Sequence, residues 1–120
     1  MNRYIMNRYI LRFNTTNKNS RSNFLDIKSG KKKIETRAAT TKYRDIKKGS
    51  LLVFVCGKEK FEKTVKKAKI FKTISSMVKV YPPNKIMPDI SSVRELRKAY
   101  FSYPRYKEKI KKFGLVALEL

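Results

Sequence analysis

The chain has 120 residues, about one domain, so one fold with one core must carry whatever it does. Its 31 Lys+Arg against 9 Asp+Glu give a formal net charge of +22, far beyond what solubility needs, which implies an anionic partner. With no histidine and a single cysteine, the sequence excludes zinc sites, Cys-His pairs, Ser-His-Asp triads and a disulfide framework, and its dispersed acids offer no clustered magnesium site.

Polyphosphate fits the charge best, because each neutralised phosphate releases condensed counterions. Basic residues recur from Arg3 to Lys112 instead of gathering on one amphipathic helix, which argues for nucleic acid over a membrane surface. The longest apolar run, Leu51 to Cys56, is too short to span a bilayer, and no apolar signal-peptide core opens the chain. The expectation is a cytoplasmic protein with no metal and no cofactor, and with Cys56 as a small buried hydrophobe.

The chain opens on a tandem pentapeptide, Met-Asn-Arg-Tyr-Ile, from Met1 and again from Met6; either methionine is a possible natural start. Residues 1–8 read as an extension and 9–120 as the domain. Tyr9 to Phe13 reads as a first strand and Asn14 to Ser20 as a polar loop. Phe24 and Ile27 mark a short helix, capped by Ser22 or Asn23 and stopped by Gly30. Lys33 to Arg37 alternates as a strand, with Lys33, Glu35 and Arg37 on one face and Ile34 and Thr36 on the other. A turn at Asp45 to Ser50 leads into an apolar strand at Leu51 to Val55.

From Lys58 to Lys72 periodicity alone does not decide: Phe61, Val65, Ala68 and Phe71 make a helical stripe, while Lys69 to Ile74 has strand composition. Pro82, Pro83 and Pro88 bracket a loop. Ser91 or Ser92 then caps a helix through Val93, Leu96, Ala99 and Tyr100, with Glu95 as the capping-box acid of Ser92. A second helix starts at Pro104, buries Tyr106, Ile110 and Phe113, and stops at Gly114; Leu115 to Leu120 closes the chain as a strand. Strands split by helices without a βαβ rhythm indicate an α+β fold.

Gly30, Lys32, Glu35 and Arg37 form G-x-K-x-x-E-x-R at a helix-to-strand junction. Glycine admits close backbone approach, Lys32 meets a phosphate or carbonyl, Glu35 accepts from a base edge or amine, and Arg37 is a planar fork for phosphate. The plain alternative is a surface pair between Glu35 and Arg37 or a nearby lysine, contributing about 0–1 kcal/mol.

The segment Phe24 to Arg37 resembles the opening motif of the ASCH domain family, of PUA-like fold. Tyr43 to Phe54 is similar to the family's second signature, and Lys85-Ile86-Met87-Pro88, Tyr103-Pro104-Arg105-Tyr106 and Phe113 to Leu120 resemble its compact archaeal and bacterial branch. The resemblance implies a small mixed β-barrel with flanking helices, a cleft beside it lined by Gly30 to Arg37, and over Lys58 to Lys72 a strand pair in place of a helix, with Thr64 to Phe71 read as β. Where the family commonly has aspartate after the turn glycine, this chain has Ser50, which touches a turn-capping hydrogen bond and not the fold.

Two functions follow. As a binding module, the cleft holds RNA with Lys31, Lys32, Lys33 and Arg37 on phosphates and Tyr43 or Tyr103 stacked on an unpaired base, the footprint extended by the lysines of Lys58 to Lys72 and by Lys107, Lys109, Lys111 and Lys112. As an enzyme, it is a metal-independent hydrolase of RNA or of a modified nucleoside, with Lys32 as base and Glu35 orienting it. The resemblance bears on the second: one relative hydrolyses acetylcytidine with a lysine, a threonine and a glutamate, and here Lys32 falls on the lysine while Glu35 occupies the threonine's place.

Overall fold

The computed structural model describes residues 7–120. The first pentapeptide and the choice between Met1 and Met6 lie outside the described residues. In chain order the elements are β1 (Arg8–Phe13), α1 (Lys18–Ser29), β2 (Ile34–Ala38), β3 (Leu51–Cys56), β4 (Glu59–Thr64), β5 (Lys67–Phe71), α2 (Ile74–Val78), α3 (Pro83–Ile86), α4 (Val93–Phe101), α5 (Tyr106–Phe113) and β6 (Leu115–Glu119). The α+β class is as expected.

Six strands make two three-stranded sheets, ordered β1-β3-β4 and β2-β6-β5. In the first, β1 runs parallel to β3, with Leu11 opposite Phe54, and β3 pairs antiparallel with β4. The second is wholly antiparallel around β6. Among the described residues no ladder joins the two sheets into a closed barrel.

The apolar run of β6 explains the layering. Its Leu115 and Ala117 pack with Met77, Leu96 and Tyr100 of the helices, while Val116 and Leu118 pack with Leu11, Phe24 and Phe54 on the other side. A strand buried on both faces needs apolar residues at successive positions, and Leu115 to Leu118 supplies them. The second sheet is therefore the middle layer, between the first sheet with α1 and the helices α2, α4 and α5.

Several expectations are corrected. Helix α1 starts at Lys18, capped by Asn17, whose side chain accepts from Ser20 N at 3.0 Å. Its buried positions Ser20, Asn23, Phe24 and Ile27 fall at helical spacing, yet two of them are polar, so the stripe does not read as apolar. Lys58 to Lys72 does hold two strands and no helix, as the resemblance implied; within Thr64 to Phe71, β4 ends at Thr64, the buried Val65 turns the corner between sheets, and β5 begins at Lys67. There Val65 N donates to Ser50 O, and Lys66 N to Glu119 O. Ile74 belongs to helix α2 and not to a strand, because Thr73 caps it reciprocally with Ser76. The proline-bracketed loop contains α3, with Pro83 in its first turn, where a missing N–H costs nothing. Helix α5 begins at Tyr106 and not at Pro104, since Arg105 adopts a left-handed φ of 61°. Cys56 is half-buried.

Other expectations agree. Gly30 closes α1 with a left-handed φ of 87°, and Ser92 caps α4, its Oγ accepting from Glu95 N at 3.1 Å. Ser50 does make a turn-closing contact, accepting from Lys47 N at 3.1 Å. No described helix is long and apolar enough to cross a membrane.

Candidate functional site

Gly30 sends the chain from α1 towards β2, and the three lysines that follow diverge. Lys31 and Lys33 point outward; Lys31 pairs with Asp89 at 3.4 Å across an exposed surface, and both border an open groove with Lys85. Lys32 turns inward and is 1% exposed. Its Nζ donates to the carbonyls of Ile34 and Ile86, tying β2 to α3, and lies 3.6 Å from Glu35 Oε1. Gly30 takes the left-handed turn that ends α1, and a Cβ there would meet no protein atom within 4 Å.

Glu35 is also buried, at 4% exposed, and its Oε2 accepts from Arg37 Nε at 3.0 Å. The expected solvated strand face is thus an interior array of two cations and one carboxylate. Glu35 does pair with Arg37 and with a lysine, as the plain alternative had it, but in low dielectric, where losing one partner is far more costly than at a surface. Arg37 is held further by aromatic faces, its Cζ lying 4.5 Å from the centroid of Phe13 and 5.5 Å from that of Tyr43. Burial lowers the pKa of Lys32, against the pull of Glu35. Burial also pulls the pKa of Arg37 down, but Glu35 together with Tyr106 and Tyr43 raises it overall and the guanidinium stays charged.

Because β2 is an edge strand of its sheet, no further strand pairs with its outer side, and there a cavity of about 160 Å³ opens. Glu35, Thr36 and Arg37 form one wall; Tyr100, Tyr103 and Tyr106 from α4, α5 and the link between them form another. Each phenol is tied to the opposite structure: Tyr100 shares a hydrogen bond with Thr36 Oγ1, Tyr103 OH accepts from Asn23 Nδ2 at 3.2 Å, and Tyr106 OH accepts from Ala38 N at 3.3 Å. Burial raises the pKa of all three, so they remain protonated donors at neutral pH.

The structure brings together Glu35, Arg37 and Tyr103 of the residues expected from sequence. Tyr43 backs Arg37 and does not line the cavity, Lys31 and Lys33 lie on the separate groove, and Lys32 has no open face for a phosphate or for a base role. Tyr100, Tyr106 and Asn23 were not foreseen. The spacing Tyr100, Tyr103, Tyr106 was the available signal, masked because two of these read as core positions of separate helices.

The fold is similar to that of the hypothetical protein PH0355, known from a crystal structure, at 28% identity over 93% of this chain and 95% of that one, with a TM-score of 0.75. It is also similar to protein PF0455 from Pyrococcus furiosus, solved by solution NMR, at 28% identity over 93% of this chain and 94% of that one, with a TM-score of 0.68. No family model and no curated protein matches the chain.

Proposed function

We propose that this chain is a cytoplasmic RNA-binding protein of the ASCH type, which holds one unpaired nucleotide of its RNA in the cavity along the free edge of β2. The observation that carries this reading is Arg37. Its side chain is 12% exposed, its Nε–H is taken by Glu35, and among the described residues no side chain or carbonyl accepts from its Nη groups, while the residue lines the cavity. A guanidinium so held offers a preorganised fork to carbonyl or phosphate oxygen. The net charge of +22 supplies long-range attraction for a polyanion, and Lys31, Lys33 and Lys85 along the adjoining groove suit the flanking backbone. The two sheets, joined at the Val65 corner, are compatible with an opened PUA-like barrel.

Titration with single-stranded RNA at rising salt tests the reading. Binding that weakens steeply with salt and is lost in Arg37→Ala is expected, with the RNA intact after long incubation. Absence of salt-dependent binding sinks it. The hydrolase reading draws on one observation, the buried Glu35 carboxylate facing protonated phenols across the cavity. It would rest on Glu35 without Lys32, whose amine is enclosed. Cleaved RNA or released acyl group, abolished by Glu35→Gln, would favour it over binding alone.

A further inference from the structure

The hydrogen-bond inventory of the cavity is unequal, and it selects among ligands. Tyr103 OH accepts from Asn23 Nδ2 and Tyr106 OH from Ala38 N, so each phenolic hydrogen is left for another acceptor. With the Nη groups of Arg37 this makes three donor groups on the walls. The charged acceptor among them is Glu35; its Oε2 is taken by Arg37, and its Oε1 meets Lys32 only at 3.6 Å, beyond hydrogen-bond length. No buried side-chain oxygen or nitrogen among the described residues lacks a partner, so Oε1 is reached from the open space. Glu35 is also the common neighbour, bonded to Arg37 and raising the pKa of all three phenols by its charge. The wall therefore offers one acceptor set among donors.

Size narrows the choice further. A cavity of about 150 Å³ takes up benzene, and this one, at about 160 Å³, has room for a single six-membered ring. We propose that, within the RNA-binding reading above on which this rests, the cavity selects a pyrimidine bearing two carbonyl oxygens, uracil, whose edge presents an acceptor, an N–H donor and an acceptor. Its oxygens meet Arg37 and the phenols, and its N3–H meets Glu35. Cytosine puts an acceptor at the ring nitrogen, where it would face the carboxylate, and a purine is too large.

Calorimetric titration of the intact protein with UMP, CMP, AMP and GMP, alongside a mixed-sequence RNA octamer, decides the matter. UMP is expected to bind at least tenfold more tightly than CMP, with the purine nucleotides weaker still. Tyr103→Phe should lower the UMP:CMP ratio, a readout that loss of packing alone would not move, and Glu35→Gln should lower it further. CMP equal to or tighter than UMP, or a ratio unmoved in Tyr103→Phe, overturns the selectivity. Octamer binding with no preference among the four nucleotides overturns it while leaving the RNA-binding reading standing; no binding of either probe overturns both.

Discussion

Arg37 donates its Nε–H to Glu35 Oε2 across 3.0 Å, two residues away on the same strand. Adjacent side chains on one face of a strand brace each other, so the fork is fixed before any ligand arrives. Arg37→Lys keeps the charge but loses the planar fork, since an ammonium on a flexible stem cannot bond Glu35 and a ligand in the same geometry. RNA affinity should fall about tenfold or more, in line with about 1.5–3 kcal/mol for a hydrogen bond to a charged group. Parallel denaturation should show a much smaller change in stability, because the lysine still pairs with Glu35.

The Lys32 ammonium gives a second test. Glu35→Ala leaves it with the carbonyls of Ile34 and Ile86 and no carboxylate. Removing one partner of a buried ion pair costs about 3–5 kcal/mol, and urea denaturation should show a loss of that order. Lys32→Met with Glu35→Leu removes both charges together, so the double variant should lose clearly less than the two single losses summed. Strict additivity would show that the pair is not coupled.

Part of this architecture is legible in the sequence, and the reasons differ by element. β3 and β6 are continuous apolar runs, and Gly30 marks the end of α1 because a left-handed residue was needed there. The stripe Phe61, Val65, Ala68, Phe71 has helical spacing by coincidence. Phe61 stacks on Phe54 from β4 with ring centroids 4.9 Å apart, Val65 fills the corner, and Phe71 ends β5. Glu35 and Arg37 were identified from spacing, but the burial of Lys32 was not, because one of its acceptors, the Ile86 carbonyl, lies 54 residues away. Local periodicity carries no trace of such a tertiary partner.

Gly114 should tolerate no side chain. It joins α5 to β6 with φ 75° and ψ −159°, and a Cβ there would stand 2.3 Å from the carbonyl oxygen of Phe71. The backbone conformation alone costs a non-glycine residue about 1–3 kcal/mol, and the clash is with backbone, which cannot swing aside. Gly114→Ala is therefore expected to lower the melting temperature by more than Gly49→Ala, where φ is also positive, at 91°, but the added Cβ meets nothing within 4 Å. Equal losses at the two sites would show that the contact with β5 contributes nothing.

Alkaline pH should unfold the protein through its phenols. Tyr81, which donates to Glu119 Oε2, has its pKa pushed up to about 12, chiefly by burial and by that carboxylate. Burial also raises Tyr100, Tyr103 and Tyr106. In the unfolded chain these groups titrate near about 10. Below that pH both states hold the protons and the native advantage is complete; above it the unfolded chain releases protons that the native state retains, so stability falls as pH rises towards the folded values. Lys32 acts with the opposite sign. Its folded pKa is lowered, so from that value up to about 10.4, its ordinary value, the unfolded chain holds the extra proton and rising pH favours the fold. One lysine stands against four tyrosines, and the tyrosines prevail above the ordinary phenol range. Denaturant midpoints measured across that range should decline, with tyrosinate absorbance rising together with unfolding for these phenols. Tyr81→Phe removes one of the four and should flatten the decline; an unchanged slope would show that Tyr81 ionises alike in both states.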